Sequence, residues 1–220
     1  MKITLNNVTK TIKGVTVIDH VNMTLESGKV FGLRGHNGCG KTMLMRLISG
    51  LIYPTQGEIT FDGKALGKDM DFPESMGVMI ENPAFLGGYT GLQNLELLAS
   101  IRGNASKLQL RHALDRVGLA PDDTRKFRKY SLGMQQRLGI AAAIAEAPAL
   151  ILLDEPSNAL DTEGIEMLRK MIQEERERGA LILMTCHDNA LLEALCDEIF
   201  EIENGKVLQT SAETRKEKAA

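Results

Sequence analysis

The stretch Gly35-His36-Asn37-Gly38-Cys39-Gly40-Lys41-Thr42-Met43 combines residue types that can hold a phosphate chain. Its glycines let the backbone curl until successive N–H groups point into one small volume, where phosphate oxygens fit. Lys41 adds a point charge for the terminal phosphates, and the Thr42 hydroxyl is a ligand for a divalent cation. The loop lies between an apolar run, Val30–Leu33, and a helical pattern from Lys41 to Ser49. That is the strand–loop–helix setting the mechanism needs. Cys39, ahead of a helix and beside Lys41, is expected to carry an acidified thiol that bound phosphate would shield.

Two carboxylates stand where a hydrolytic centre would want them. In "LILLDEPSNALD" an apolar run delivers Asp154 and Glu155 to the end of a buried strand. Asp154 suits a water-mediated Mg²⁺ contact, and Glu155 suits general-base polarisation of an attacking water. One carboxylate would read as a polar turn after a core strand; two followed by Pro156 read as a site. His187 follows the next apolar run, "LILMTCHD", at the same sheet edge, where a γ-phosphate contact is needed. Together these residues imply Mg²⁺-assisted ATP hydrolysis.

A third feature faces anions without an anion in its own neighbourhood. "KYSLGMQQRLGIAAAIAEAP" reads as a buried helix closed by Pro148, with Leu138, Ile140, Ala141 and Ile144 on its apolar face. Its start is polar and glycine-bearing, with Ser131, Gly133, Met134 and Gln135. A helix N-terminus of this kind attracts negative charge.

The elements that must position these groups follow from pattern. Short strands are expected at Lys2–Val8, Val15–Asp19, Val21–Leu25 and Val30–Leu33, and "GEITFDGK" is a strand ending in an Asp62-Gly63 turn. From Gly87 to Arg128 the chain reads as mostly helical, and Thr90 with Gln93 forms a capping box. Beyond Pro148, apolar strands alternate with helices at Gly164–Arg178 and Asn189–Leu195, and a hairpin turns at Asn204-Gly205. The alternation implies a mostly parallel sheet covered on both faces, with the antiparallel N-terminal strands as a separate layer. "EERER", Glu174–Arg178, reads as a solvated helix face with an i,i+4 pair between Glu174 and Arg178.

Composition excludes several classes. A chain of 220 residues suits one domain with a small subdomain, and a net charge of -3 offers no basic field for nucleic acid. Apolar runs such as Ala147–Leu153 are too short to span a bilayer, and "MKITLNNVTK" lacks the apolar core of a signal peptide. Three cysteines without metal-ligand spacing fit a reducing, cytoplasmic setting.

Loop, signature-like helix start, carboxylates and histidine, in this order, resemble the ATP-binding cassette (ABC) family over essentially the whole chain. Gly35–Thr42 matches its Walker A, and "SLGMQ" stands where the family signature reads Leu-Ser-Gly-Gly-Gln. Asp154-Glu155 matches Walker B with its catalytic glutamate, Ser157–Asp161 resembles the D-loop, and His187 the switch histidine. The resemblance implies a P-loop NTPase of ABC type, an α/β fold with a mostly parallel sheet core, an antiparallel N-terminal β layer and a helical subdomain. Residues 1–86 and 150–210 would form the RecA-like core with its β layer, 87–149 the helical subdomain, and 211–220 a tail. It also implies a head-to-tail pair, most simply a homodimer, in which Ser131, Gly133, Met134 and Gln135 meet the ATP held by the other copy.

Glu81 stands where the family's coupling loop normally carries Gln, which implies a nucleotide and metal contact for it beside Thr42 and Asp154. Met43 replaces a hydroxyl that commonly meets the α-phosphate. The family places an aromatic near Ile12 to stack on adenine; "KTIKG" has none, which leaves Tyr53 and Phe127 as alternatives. "IENPAFL" and "YSLGMQQRLGIA" resemble the bacitracin-resistance and lantibiotic-immunity exporters. The implied protein is a peripheral ATPase on the inner face of the cell membrane, beneath a separate membrane permease. A non-transport ABC ATPase of translation or DNA maintenance is the alternative, although those usually carry two cassettes or a long coiled coil. A P-loop kinase or GTPase would leave the signature unexplained, and no Asn-Lys-x-Asp guanine motif is present.

Overall fold

The structure is a computed structural model that describes residues 1–102 and 105–210. The chain opens with two long strands, β1 (Lys2–Ile12) and β2 (Val15–Glu26), joined by a two-residue turn at Lys13-Gly14. Both turn residues have positive φ, the backbone that matches strand twist in a tight hairpin. The same device recurs at Asp62-Gly63 and Asn204-Gly205. β4 (Gln56–Phe61) and the short β5 (Lys64–Ala65) complete an antiparallel sheet in the order β2-β1-β4-β5.

One sequence expectation is corrected here. Val15–Asp19 and Val21–Leu25 are not two strands but one, β2, which carries His20 at φ 52°. The alternation slips at that residue, so Ile18 and Val21, three apart, both face the core. Asn7 on β1 takes a similar φ of 52°, and pairing shifts register on either side of Val8. A bulge of this kind breaks period-two patterning without ending the strand.

The second sheet positions the candidate site. Its order is β10-β9-β3-β8-β7-β6. The strands are β3 (Val30–Arg34), β6 (Met76–Met79), β7 (Leu150–Leu153), β8 (Leu181–Thr185), β9 (Glu198–Glu203) and β10 (Lys206–Thr210). All neighbours pair in parallel except β9 with the closing strand β10. Its central strands are buried on both faces, and alternate residues feed two cores. Leu150, Leu152, Leu181 and Leu183 pack with the antiparallel sheet and α1 (Lys41–Ile48). Ile151, Leu153, Ile182 and Met184 pack with the helices on the other face. Continuous apolar runs of four or five residues are what a doubly covered parallel strand requires.

Those helices are α2 (Gly91–Arg102), α3 (Lys107–Arg116), α4 (Leu132–Ile144), α5 (Thr162–Glu177) and α6 (Asn189–Leu195). The Thr90–Gln93 capping box is formed in both directions, at 3.2 and 3.0 Å. The expectation for "EERER" is corrected at Glu174 and Glu175. Glu175 is only 2 % exposed, clamped by the Arg116 guanidinium at 2.5 Å and by Arg178. Glu174 pairs with Arg116 at 2.9 Å rather than with Arg178. Arg176, Glu177 and Arg178 are exposed, as a solvated face requires, while the buried Glu175 carboxylate ties α3 to α5. Such a carboxylate is stable only because two guanidinium groups satisfy it.

Candidate nucleotide site

Parallel strands β6, β7, β8 and β3 all end at one edge, because Met79 pairs with Leu153, Leu153 with Met184, and Thr185 with Leu33. The loops that follow therefore emerge together, which is where open α/β sheets place their ligands. These loops carry the Gly35–Thr42 curl, Glu81, Asp154 with Glu155, and His187.

The curl is held by its own lysine. Lys41, 9 % exposed as a residue, donates from its ammonium to the carbonyls of Gly35 at 2.7 Å and His36 at 3.1 Å. Gly40 begins α1 at φ 117°, and a Cβ there would press on Ile18 at 2.9 Å. At Gly35 a Cβ would lie 2.2 Å from the Ile202 carbonyl, so the curl passes too close to β9 for any side chain. Asn37, Gly38, Thr42 and Met43 line a cleft of about 400 Å³ together with Val17, Asp154, Glu155 and His187. His36 is exposed and its ring bonds the Asn37 carbonyl.

Cys39 is placed otherwise than its sequence position implies. It is 2 % exposed and packs in the core beneath the curl, with Sγ 2.7 Å from where a Gly35 Cβ would sit. Its backbone carbonyl accepts from the Gly205 N–H, which fixes the loop to the closing hairpin. A thiol turned inward cannot be shielded by a ligand on the other side of the loop. Maleimide should label Cys39 slowly and at the same rate with and without nucleotide. Rapid labelling that nucleotide suppresses would show the thiol facing the phosphates after all.

At the other wall, Thr42 donates to Asp154 Oδ2 at 2.7 Å, and Thr185 donates to Asp154 Oδ1, also at 2.7 Å. The Glu155 N–H donates to the same Thr185 oxygen at 2.8 Å. Thr185 is buried and locks the carboxylate pair, a role its place at the end of "LILMT" does not advertise. Glu155 sits at φ 53°, a costly conformation for a side-chain-bearing residue and one that collects at functional sites. Its Oε2 accepts the His187 N–H at 2.9 Å, and its Oε1 stands 3.5 Å from His187 Nε2. Oε1 is buried and accepts no hydrogen bond among the described residues. Desolvation by burial holds this carboxyl above the usual glutamate range; the charge and N–H of His187 oppose that, and Asp154 adds to it.

Glu81, at φ 63°, pairs with Arg46 on α1 and is largely exposed. Its loop still reaches the carboxylates, because Glu81, Gln136, Asp154 and Glu155 share a small cleft of about 100 Å³. Gln136 donates to the Glu155 carbonyl at 2.9 Å, a second link that sequence reasoning missed.

The α4 start lies apart from this cleft. Ser131 caps the helix by accepting the Met134 N–H at 3.2 Å, worth about 1 kcal/mol. Gln135 donates to the Tyr130 carbonyl, and a Cβ on Gly133 would lie 2.9 Å from the Ala159 carbonyl. Leu132, between them, is 72 % exposed. Ser131, Gly133, Met134 and Gln135 do not line the cleft of their own chain.

Residues 18–158, from the β layer through the phosphate curl and signature helix to the carboxylate pair, match the family described as ABC transporter. The chain belongs to that family. It is an ABC ATPase and the ATP-binding part of a transporter. An uncharacterized ABC transporter ATP-binding protein, YybJ of Bacillus subtilis, is 45 % identical over 93 % of this chain and 94 % of its own length. The bacitracin transport ATP-binding protein BcrA of Enterococcus faecalis is 38 % identical over 92 % of this chain, which spans 67 % of BcrA. The lantibiotic transport ATP-binding protein SrtF of Streptococcus pyogenes is 35 % identical over 93 % of this chain and 88 % of its own. These relatives include the branch that "IENPAFL" and "YSLGMQQRLGIA" resemble. A solved ATP-binding subunit of an ABC transporter superposes on all of this chain and 94 % of its own, with a TM-score of 0.89 and 25 % identity. The dimeric cassette MJ0796 does so over 95 % of this ABC chain and 97 % of its own, at 0.86 and 25 %.

Proposed function

We propose that this ABC ATPase powers outward movement of an antimicrobial peptide or similar amphipathic drug through a separate membrane permease. The observation that supports the hydrolytic part is the Thr42–Asp154–Thr185–Glu155 chain of hydrogen bonds beside the Lys41 curl. In this reading the curl and Lys41 bind the triphosphate, Glu155 Oε1 takes the proton side of the attacking water, and His187 holds the γ-phosphate. The residues present fit Mg²⁺ carried in by the nucleotide. Thr42 and Asp154 offer adjacent oxygens, with Glu81 in the neighbouring cleft, and no cluster of three or more His, Cys, Asp or Glu among the described residues could hold a metal by itself. Magnesium characteristically takes one or two protein oxygens and completes its shell with phosphate and water. When bound there it would neutralise charge on the phosphates.

The exposed α4 start supports the head-to-tail pair: Ser131, Gly133, Met134 and Gln135 would meet the γ-phosphate of ATP bound to a second copy. No helix among the described residues is long and apolar enough to cross a membrane, and in this reading a separate permease forms the conduit. The cassette would then work at the cytoplasmic face of that permease. Cargo and direction rest on the bacitracin and lantibiotic transport relatives.

The tagged chain, purified from detergent-solubilised membranes, should bring down a polytopic membrane protein, and bacitracin or a lantibiotic should stimulate the ATPase of that complex. Recovery with ribosomes or DNA and no membrane protein would turn the reading to translation or DNA maintenance.

Glu81 is held by Arg46 beside the carboxylates, and in this reading it also meets the bound nucleotide and its metal. Glu81→Gln should keep ATP binding and move the Mg²⁺ dependence of hydrolysis, since a carboxylate and an amide differ in charge at the metal. Superimposable Mg²⁺ titrations for wild type and variant would leave Glu81 as a partner of Arg46 alone.

A further inference from the structure

Glu155 presents its carboxylate from a backbone conformation that costs energy, and something must keep it there. The loop after β7 carries two left-handed residues with side chains, Glu155 at φ 53° and Ala159 at φ 58°. Such residues persist where surrounding contacts over-determine them. The Glu155 N–H donates to Thr185 Oγ1 at 2.8 Å. Its carbonyl accepts from the Asn158 N–H at 3.2 Å and from Gln136 Nε2 at 2.9 Å. Asn158 lies three residues along the same loop and moves with it. Thr185 and Gln136 hold the loop from outside, one from β8 and the other from α4.

Gln136 is an unusual residue for its place. It is 7 % exposed in the second turn of α4 and is followed by the buried Leu138, Ile140 and Ala141. A buried amide is costly unless it is bonded, and this one spends its nitrogen on a peptide carbonyl. Neighbouring residues of α4 grip the same loop. Arg137 pairs with Asp161 at 3.2 Å. Gly133, without a side chain, lets the helix approach the Ala159 carbonyl, which would lie 2.9 Å from an added Cβ. Both left-handed residues of the loop therefore meet α4, Ala159 by close approach and Glu155 by a hydrogen bond.

We propose that Gln136 is a positioning residue for hydrolysis: its bond to the Glu155 carbonyl keeps the left-handed backbone from which Glu155 presents Oε1. This rests on the reading of Glu155 as the base. A general base tolerates little error in aim, since a misplacement of about 1 Å can cost on the order of 10²-fold in rate. Triphosphate binding depends on the curl and Lys41, which this bond does not touch. The start of the same helix does not line its own cleft, so whatever meets it there is felt at Glu155 through Gln136.

The test is a double-mutant cycle on Glu155→Gln and Gln136→Met, with kcat, KM, Mg²⁺–ATP affinity and Tm measured for each protein. Methionine keeps the length and bulk of glutamine but cannot donate, and the Glu155 carbonyl retains the Asn158 N–H. Gln136→Met should lower kcat by about ten- to a hundredfold while ATP affinity stays within about twofold of wild type. In the Glu155→Gln background the same substitution should cost nothing further, because the group it positions is already gone. Gln136→Ala, a truncation that suits a helix, is the second variant and should repeat the split between kcat and affinity. Wild-type kcat in both Gln136 variants would overturn the inference. So would losses that multiply in the double variant, the mark of a structural role independent of Glu155. Near-normal turnover in Glu155→Gln would overturn the base reading and this inference with it. A loss of about a hundredfold there, with wild-type turnover in Gln136→Met, would overturn the positioning role alone.

Discussion

Glu155→Gln is expected to bind Mg²⁺–ATP normally while hydrolysis falls by about a hundredfold or more, the usual loss when a positioned general base is removed. The amide keeps the shape of the side chain and can still accept the His187 N–H at Oε2, so the loop geometry is retained. What disappears is the basicity of Oε1, the buried oxygen that accepts nothing else among the described residues. With the resetting step blocked, ATP-bound pairs should accumulate on size exclusion. The wild-type pH profile follows from the same group. Burial raises the Glu155 pKa, so as pH falls its base form is lost earlier than in a solvated glutamate. The acid limb of kcat should therefore begin at a higher pH than an ordinary carboxylate would give. Near-normal turnover in Glu155→Gln would remove the residue from this role, and an acid limb in the ordinary carboxylate range would contradict its burial.

The second large effect is on stability and lies far from any chemistry. Gly77 is in β6, the edge strand on which α4 packs. A Cβ there would lie 1.7 Å from the Ala143 carbonyl and 2.9 Å from Pro148. Gly77→Ala must therefore push β6 away from α4, at a cost of about 3 kcal/mol, the upper range for overpacking a core. In a chain of this size that lowers Tm by roughly 6–12 °C. Gly88→Ala is the control: it is exposed, has nothing within 4 Å of the added Cβ, and should stay within about 0.5 kcal/mol of wild type. Calorimetry of both variants decides the matter, and an unchanged Tm for Gly77→Ala would mean that the strand and helix are less closely opposed. Because β6 leads into the Glu81 loop, ATPase activity should fall with stability in that variant.

Local chemistry was legible from residue order. The turns at Asp62-Gly63 and Asn204-Gly205, the Thr90–Gln93 box and helix α6 stand where their residue types put them, because each depends on offsets of only a few positions. The α/β class was legible too, since apolar runs of four or five residues alternate with amphipathic helices. Bulges were not. The slip at His20 in β2 depends on its pairing with β1, and the sequence shows only a broken alternation.

Thr42, Asp154, Glu155 and His187 could be chosen from sequence as a set, because each follows an apolar run or a glycine curl and parallel strands end together. Their bonds could not. Thr185 reaches both carboxylate residues only through the parallel register of β7 and β8, and Arg46 meets Glu81 only because α1 passes the end of β6. The inward turn of Cys39 and the burial of Glu175 between two arginines were likewise decided in three dimensions. Sequence alone determined which chemical groups this protein carries and at which ends of its elements they stand, since those follow from local spacing. Tertiary structure decided which groups are left free to meet a ligand, because that depends on what neighbours from distant segments have already satisfied.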